Sequence, residues 1–260
     1  MGLFSNKISR QEVKPGDHIY SWRTAYAYAH HGIYVGDGKV IHFTRGGGHR
    51  QTETGTFLDK FVVSSSSPNY PPCPICKDKH SFNGDKVITS CLDCFLAGGN
   101  LYLFKYDVSW VAFLAKPRGG TCTLAPSDPP EDALFRANFH LLLDGWFGDY
   151  HVAVNNCEDF AIYCKTGLLV CHKARFGISG QVNTAASVYS AALVLGLSGL
   201  PVAGFGAYCF VRLTSDVGMT AKLGVEVIKV PVERLIALLK LYDSPREAWL
   251  SIAGSKFRGE

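Results

Sequence analysis

Three groups of residues in this 260-residue chain could do chemistry: a cysteine in Asn155-Asn156-Cys157-Glu158-Asp159-Phe160, histidines at positions 30, 31 and 42, and two Cys-x-x-Cys pairs. Cys157 follows two asparagines and opens an apolar-periodic segment (Phe160, Ala161, Cys164) that stops at Gly167. That pattern predicts a thiol on the first turn of a short helix. Aligned backbone N–H groups at a helix N-terminus favour negative charge, so the position is expected to lower the thiol pKa toward the nucleophilic range. A lone cysteine is more often an inert core residue, and the nucleophilic reading therefore requires a base.

The histidines could supply it. Tyr26 to Gly36 and Lys39 to Thr44 are β-rich runs joined by Asp37-Gly38, the strongest hairpin signal in the chain. With a two-residue loop, Gly36 faces Lys39, and His31 shares a face with His42. With a three-residue loop, Val35 faces Lys39, Gly32 opposes His42, and His30 moves onto the His42 face. Either way one histidine lies diagonal to His42, about 7 Å away between backbones. A single strand histidine is ordinarily a surface residue; two on one face with a thiol elsewhere make a base and its orienter. The chain thus offers Cys157 as nucleophile, His30 or His31 as base, and His42 to orient the ring.

The third group is Cys73-Pro74-Ile75-Cys76 and Cys91-Leu92-Asp93-Cys94. Two such knuckles about 14 residues apart suit a closed four-thiolate zinc site, structural rather than catalytic. The competing reading is four unligated or disulfide-paired thiols. No cofactor is expected for the catalytic chemistry itself.

These residues need a scaffold, and the composition supplies one. A hydrophobic fraction of 47% with 18% charged residues describes a folding chain, and the net charge of +4 with a pI near 8.5 is mild. Without a Lys/Arg block, nucleic acid is not an expected partner, while an anionic membrane surface remains a candidate. Residues 1–10 lack the apolar core of a secretory signal, and nine cysteines without one point to a reducing, cytoplasmic setting. Met1-Gly2 opens like a myristoylation site, but Asn6 stands where Ser or Thr is required.

Along the chain, a strand is expected around His18 to Trp22, a loop over Thr44 to Pro72, and a polar loop between the cysteine pairs. Leu101 to Leu114 reads as β, Ala133 to Gly145 as a largely buried helix led in by Pro129-Pro130, and Val232 to Tyr242 as an amphipathic helix. Thr184 to Val211 is 28 residues without a formal charge, long enough for a bilayer but interrupted by glycines and Pro201. It is expected either to associate with a membrane or to pack as a helix pair on the domain.

Gly16-Asp17, His30-His31-Gly32-Ile33-Tyr34-Val35-Gly36 through His42-Phe43, and Asn156-Cys157-Glu158-Asp159-Phe160 together resemble the lecithin:retinol acyltransferase family. This family includes small phospholipase/acyltransferases and is a circularly permuted branch of the NlpC-type papain-like peptidases. The likeness is greatest to its plant, lead-sensitive (NC-domain) branch, which shares the cysteine-rich insertion. The resemblance implies an α+β domain over 13–170, its antiparallel sheet packed on the cysteine helix, a zinc-knuckle insertion at 72–95, and a helical, partly apolar region over 171–260. It places the base on His30, the second histidine on His42, the nucleophile on Cys157, and an oxyanion tyrosine on Tyr28. Family cysteine motifs usually carry His where this chain has Asp159. The implied activity is a thiol acyltransferase or phospholipase acting on a fatty acyl ester through an acyl-cysteine. A non-catalytic adaptor and a cysteine peptidase or isopeptidase are the alternatives on the same fold.

Overall fold

The computed structural model describes residues 6–23, 28–45, 73–75, 84–116, 118–145, 147–151, 155–170, 180–223 and 227–257. Met1-Gly2, the excursion over 46–72 and Cys76 lie outside them. Strands β1 (His18–Arg23), β2 (Tyr28–Gly36), β3 (Lys39–Thr44), β4 (Lys86–Cys91) and β5 (Tyr102–Leu103) form one antiparallel sheet in the order β4-β3-β2-β1-β5. The fold is α+β, with nine helices among the described residues.

The hairpin settles its register by combining both expected arrangements. Asp37 (φ 51°) and Gly38 (φ 67°) form a two-residue turn with both central residues left-handed, and Gly36 faces Lys39. Past the turn the register slips by one: Tyr34 faces Val40 and Ile33 faces Ile41, leaving Val35 as an extra residue on β2. The bulge gives β2 the alternation of the longer loop, so His30 and not His31 shares the His42 face. Gly32 is demanded at the crossing, where a Cβ would sit 2.7 Å from Val40 Cγ1 and 3.1 Å from His42 Cβ.

Helices cover both faces. Helix α1 (Leu92–Leu96) follows β4 directly and lays Phe95 on the His30 and His42 rings, 5.3 and 5.5 Å between centroids. Helix α2 (Trp110–Ala115) is a single short turn, and α3 (Pro130–Leu142) is the helix expected from the proline-led start. Helix α4 (Cys157–Thr166) lies on the opposite face, where Phe160 and Ala161 pack with Ile33, Ile41 and Phe43. Buried Arg136 of α3 donates to the Cys164 carbonyl at 2.9 Å and to Asp128 at 2.7 Å, fastening α3 to the end of α4.

Three expectations are corrected. The polar loop between the cysteine pairs contains β4, whose Val87 is buried in the main core. The β reading of 101–114 holds only for Tyr102–Leu103: Ser109 Oγ accepts from the Ala112 N–H at 3.2 Å and starts α2, and that cap outweighs the β-rich composition. Membrane association through Thr184 to Val211, the localisation expected above, is not met: among the described residues no helix is long and apolar enough to cross a membrane. Gly199 (φ 67°) and Pro201 divide the stretch into α5 (Gly180–Ser198, 19 residues) and α6 (Pro201–Thr214, 14 residues). The two fold back on each other so closely that a Cβ on Gly204 would lie 3.0 Å from the Ala191 carbonyl. At their base Asn183 Nδ2 donates to the Ser215 carbonyl, and the Arg212 guanidinium rests 4.3 Å over the Phe113 ring.

The remaining helices, α7 (Val217–Lys222), α8 (Val232–Leu241) and α9 (Pro245–Phe257), return to the main body. Strands β6 (Leu168–Val170) and β7 (Val227–Lys229) pair as a ribbon that carries the chain back. Leu235, Trp249, Ile252 and Ala253 then join the cluster that holds Ile33, Phe139, Phe147 and Phe160.

Candidate functional site

Cys157 is the first residue of α4, and a reciprocal cap fixes it there. Asn156 Oδ1 accepts from the Glu158 and Asp159 N–H groups at 2.8 and 3.2 Å, while Asp159 Oδ2 accepts from the Asn156 N–H at 2.9 Å. Asp159 is therefore the third-position acid of a capping box. Gly167, left-handed at φ 63°, ends the helix, and the Glu158 carboxylate accepts from the Gly180 N–H at 3.1 Å, tying the cysteine's neighbour to the start of α5.

The thiol is 1% exposed. Its Sγ lies 2.9 Å from Tyr28 Oη and 3.6 Å from Tyr150 Oη, and the two tyrosine hydroxyls are 2.5 Å apart. It also reaches the Ala29 carbonyl at 3.9 Å and accepts from the His31 backbone N–H. These contacts put the sulfur against the β2 backbone beyond the last β2–β3 pair at Ile33. Burial pushes the thiol above its ordinary value of 9.0, opposed by the Tyr28, His31 and Tyr150 hydrogen bonds. The expected lowering at the helix N-terminus is thus corrected: desolvation outweighs the donors, two of which the cap has already taken. Burial likewise holds Tyr28 and Tyr150 protonated, as hydrogen-bond donors.

Two residues along β2 from Tyr28, His30 Nε2 is 2.9 Å from His42 Nδ1, and His42 Nε2 is 2.9 Å from Ser90 Oγ, all buried. The two imidazoles meet edge to face. Burial keeps His30 well below 6.5, helped by His42 and the Arg23 guanidinium, so its ring is neutral. Arg23 in turn donates to the Phe95 and Leu96 carbonyls at the end of α1. His30 hydrogen-bonds His42 and not the sulfur. The thiol and the pair are linked through β2, on which Tyr28 and His30 lie two residues and about 7 Å apart on one face.

His31, the alternative base, belongs elsewhere. Its Nδ1 is 2.9 Å from His18 Nε2, and His18 Nδ1 is 2.7 Å from Tyr106 Oη, in a second buried relay on the α4 side. Of the four cysteines expected to bind metal, the Sγ atoms of Cys73, Cys91 and Cys94 lie within 4.8 Å of one another. Sequence reasoning missed Ser90, Tyr150, Arg23 and Phe95. Ser90 alone had an available signal, since recognising β4 would have set it beside β3.

A cysteine at a helix N-terminus, laid against a histidine-bearing antiparallel sheet, defines the class. The chain belongs to the Lecithin retinol acyltransferase family, whose description it matches over residues 11–170. It is 50% identical to Protein LEAD-SENSITIVE 1 of Arabidopsis thaliana, over 95% of this chain and 97% of that protein.

Proposed function

We propose that this protein is a thiol acyltransferase or phospholipase-like enzyme that acts on fatty acyl esters through an acyl-cysteine. The observation that carries the reading is that β2 bears both Tyr28, whose hydroxyl meets Cys157 Sγ, and His30, which opens the His30–His42–Ser90 chain of hydrogen bonds, in a member of an acyltransferase family. If His42 gives its Nε2 proton to Ser90 and takes one at Nδ1 from His30 Nε2, the nitrogen left on His30 to act as base is Nδ1.

Cys157 Sγ attacks the ester carbonyl carbon while its proton passes to His30 Nδ1. With the imidazole neutral and the thiol protonated, that transfer is part of the attack and not a preformed ion pair. The oxyanion is met by the Cys157 N–H, which the Asn156 cap leaves over and which Tyr150 Oη accepts in the resting site, and by the Tyr28 hydroxyl. Collapse breaks the ester C–O bond, the leaving alkoxide recovers the proton from His30, and the thioester passes its acyl group to an amine, a lipid hydroxyl or water. The strands with the histidines precede the cysteine helix, the order that a circular permutation of a papain-like layout produces.

One observation favours a second reading, a non-catalytic interaction protein on the same fold: the thiol is buried and its pKa raised. Intact-protein mass spectrometry after incubation with phospholipid vesicles separates the two. A hydroxylamine-sensitive, acyl-sized adduct, absent in Cys157→Ala and strongly reduced in His30→Ala, is the expected result. Absence of any adduct, together with alkylation of Cys157 no faster than that of an ordinary thiol, selects the interaction protein.

A further inference from the structure

We propose that Cys73, Cys91 and Cys94 are thiolate ligands of a structural zinc ion at the β4–α1 junction. Cys91 ends β4 and caps α1, and its Sγ accepts the Cys94 N–H at 3.4 Å. That bond turns the chain so that both side chains point the same way. Cys73 comes from a separate segment and sets its Sγ 3.7 Å from that of Cys91. Four sulfurs at about 2.3 Å from a tetrahedral zinc are separated by about 3.8 Å, so this spacing is that of one edge of the tetrahedron.

Packing gives no comparable reason for the cluster. Cys73 and Cys94 are partly exposed, unlike the fully buried core thiol Cys164, and no disulfide joins the described cysteines. Three thiols held this close gain little as neutral groups and repel one another as thiolates, unless a cation lies among them. Binding would release one proton to solvent from each thiol that becomes a ligand. The proposal rests on the three described thiols; the sequence supplies a fourth at Cys76.

The site has a consequence for its neighbours. Ser90, immediately before Cys91, bonds His42, and Phe95, immediately after Cys94, packs on both histidine rings. A metal gripping 91 and 94 fixes the segment that supports the His30–His42 pair.

The test is metal analysis of the full chain purified under reductant, with cobalt titration of the stripped protein. About one zinc per chain is expected, with cobalt producing thiolate charge-transfer and tetrahedral d–d bands. Cys91→Ser and Cys94→Ser should each lose at least about tenfold in affinity, while Cys209→Ser, outside the cluster, keeps it. Should the cluster variants fail to fold, the cobalt spectrum of the unaltered chain decides. Less than about a tenth of an equivalent after zinc reconstitution, with no thiolate bands, would overturn the proposal. So would a Cys73–Cys91 disulfide persisting under reductant, or equal metal loss in Cys209→Ser.

Discussion

Lowering the pH from 7 to 5 should destabilise the fold, because the native core holds histidines neutral that the unfolded chain protonates. His31 sets the magnitude. It is fully buried, stacks on Tyr20 at 5.4 Å and meets Phe104 edge-on at 6.0 Å, and desolvation holds its pKa at about 3 against an ordinary 6.5. A folded pKa below the unfolded one means that the unfolded chain binds the extra proton between those values. The stability is complete above pH 6.5 and is lost progressively as pH falls toward 3. At pH 5 the loss from His31 alone is about 2 kcal/mol. Burial pushes His18 and His30 down as well, so both add in the same sense. Asp216, whose carboxyl burial raises, acts in the opposite sense. Urea unfolding at pH 7, 6 and 5, followed by fluorescence with buried Trp249 as a reporter, should show the midpoint falling at constant m-value. His31→Phe should flatten that dependence by about 2 kcal/mol. Stability constant within about 0.5 kcal/mol across the window, or an unchanged slope in His31→Phe, would refute the argument.

Other outcomes follow from the same geometry. Alkylation of Cys157 should keep rising as pH passes 9, since burial raises the thiol; a plateau near neutrality would mean a preformed thiolate–imidazolium pair. Tyr28→Phe removes a hydrogen bond that lowers that pKa and should slow alkylation at pH 8 by about tenfold, a one-unit effect. Gly32→Ala drives a methyl into Val40 and His42 and should cost about 1–3 kcal/mol in urea unfolding, together with most of the acyl-adduct yield. Arg136→Met leaves Asp128 and the Cys164 carbonyl without their shared donor, and a loss of about 3 kcal/mol is expected by the same measurement.

What the sequence made legible was local. The Asp37-Gly38 turn and the Asn156-to-Gly167 helix announce themselves through residues within a few positions of the feature they create. The choice between His30 and His31 did not, because it depends on a bulge at Val35 that arises from how β2 and β3 pair and leaves no signature in Val35 itself. β4 was hidden because Val87 and Ile88 are its only strong apolar residues, between polar neighbours and cysteines that drew the metal reading. Arg23, Ser90 and Tyr150 reach the site from three separate segments, and only the folded chain brings them together. The sign of the thiol shift was misjudged for a related reason: the favourable cap is encoded at 156–159, but the desolvation comes from residues as distant as Tyr28.

Trp249 bears on how the protein comes into being during translation. The aromatic ring of residues it completes, including Phe139, Phe147, Phe160 and Tyr163, lies within the family match of 11–170, while Trp249 itself does not. At ribosomal speed the 89 residues from Phe160 to Trp249 take on the order of 10 s to emerge, and throughout that interval the part of α3 and α4 that Trp249 covers lacks its native partner. The nascent chain therefore crosses a vulnerable period in which a holdase or a premature stop would decide its fate. The limits by which the family is recognised do not coincide with the limits of the hydrophobic core.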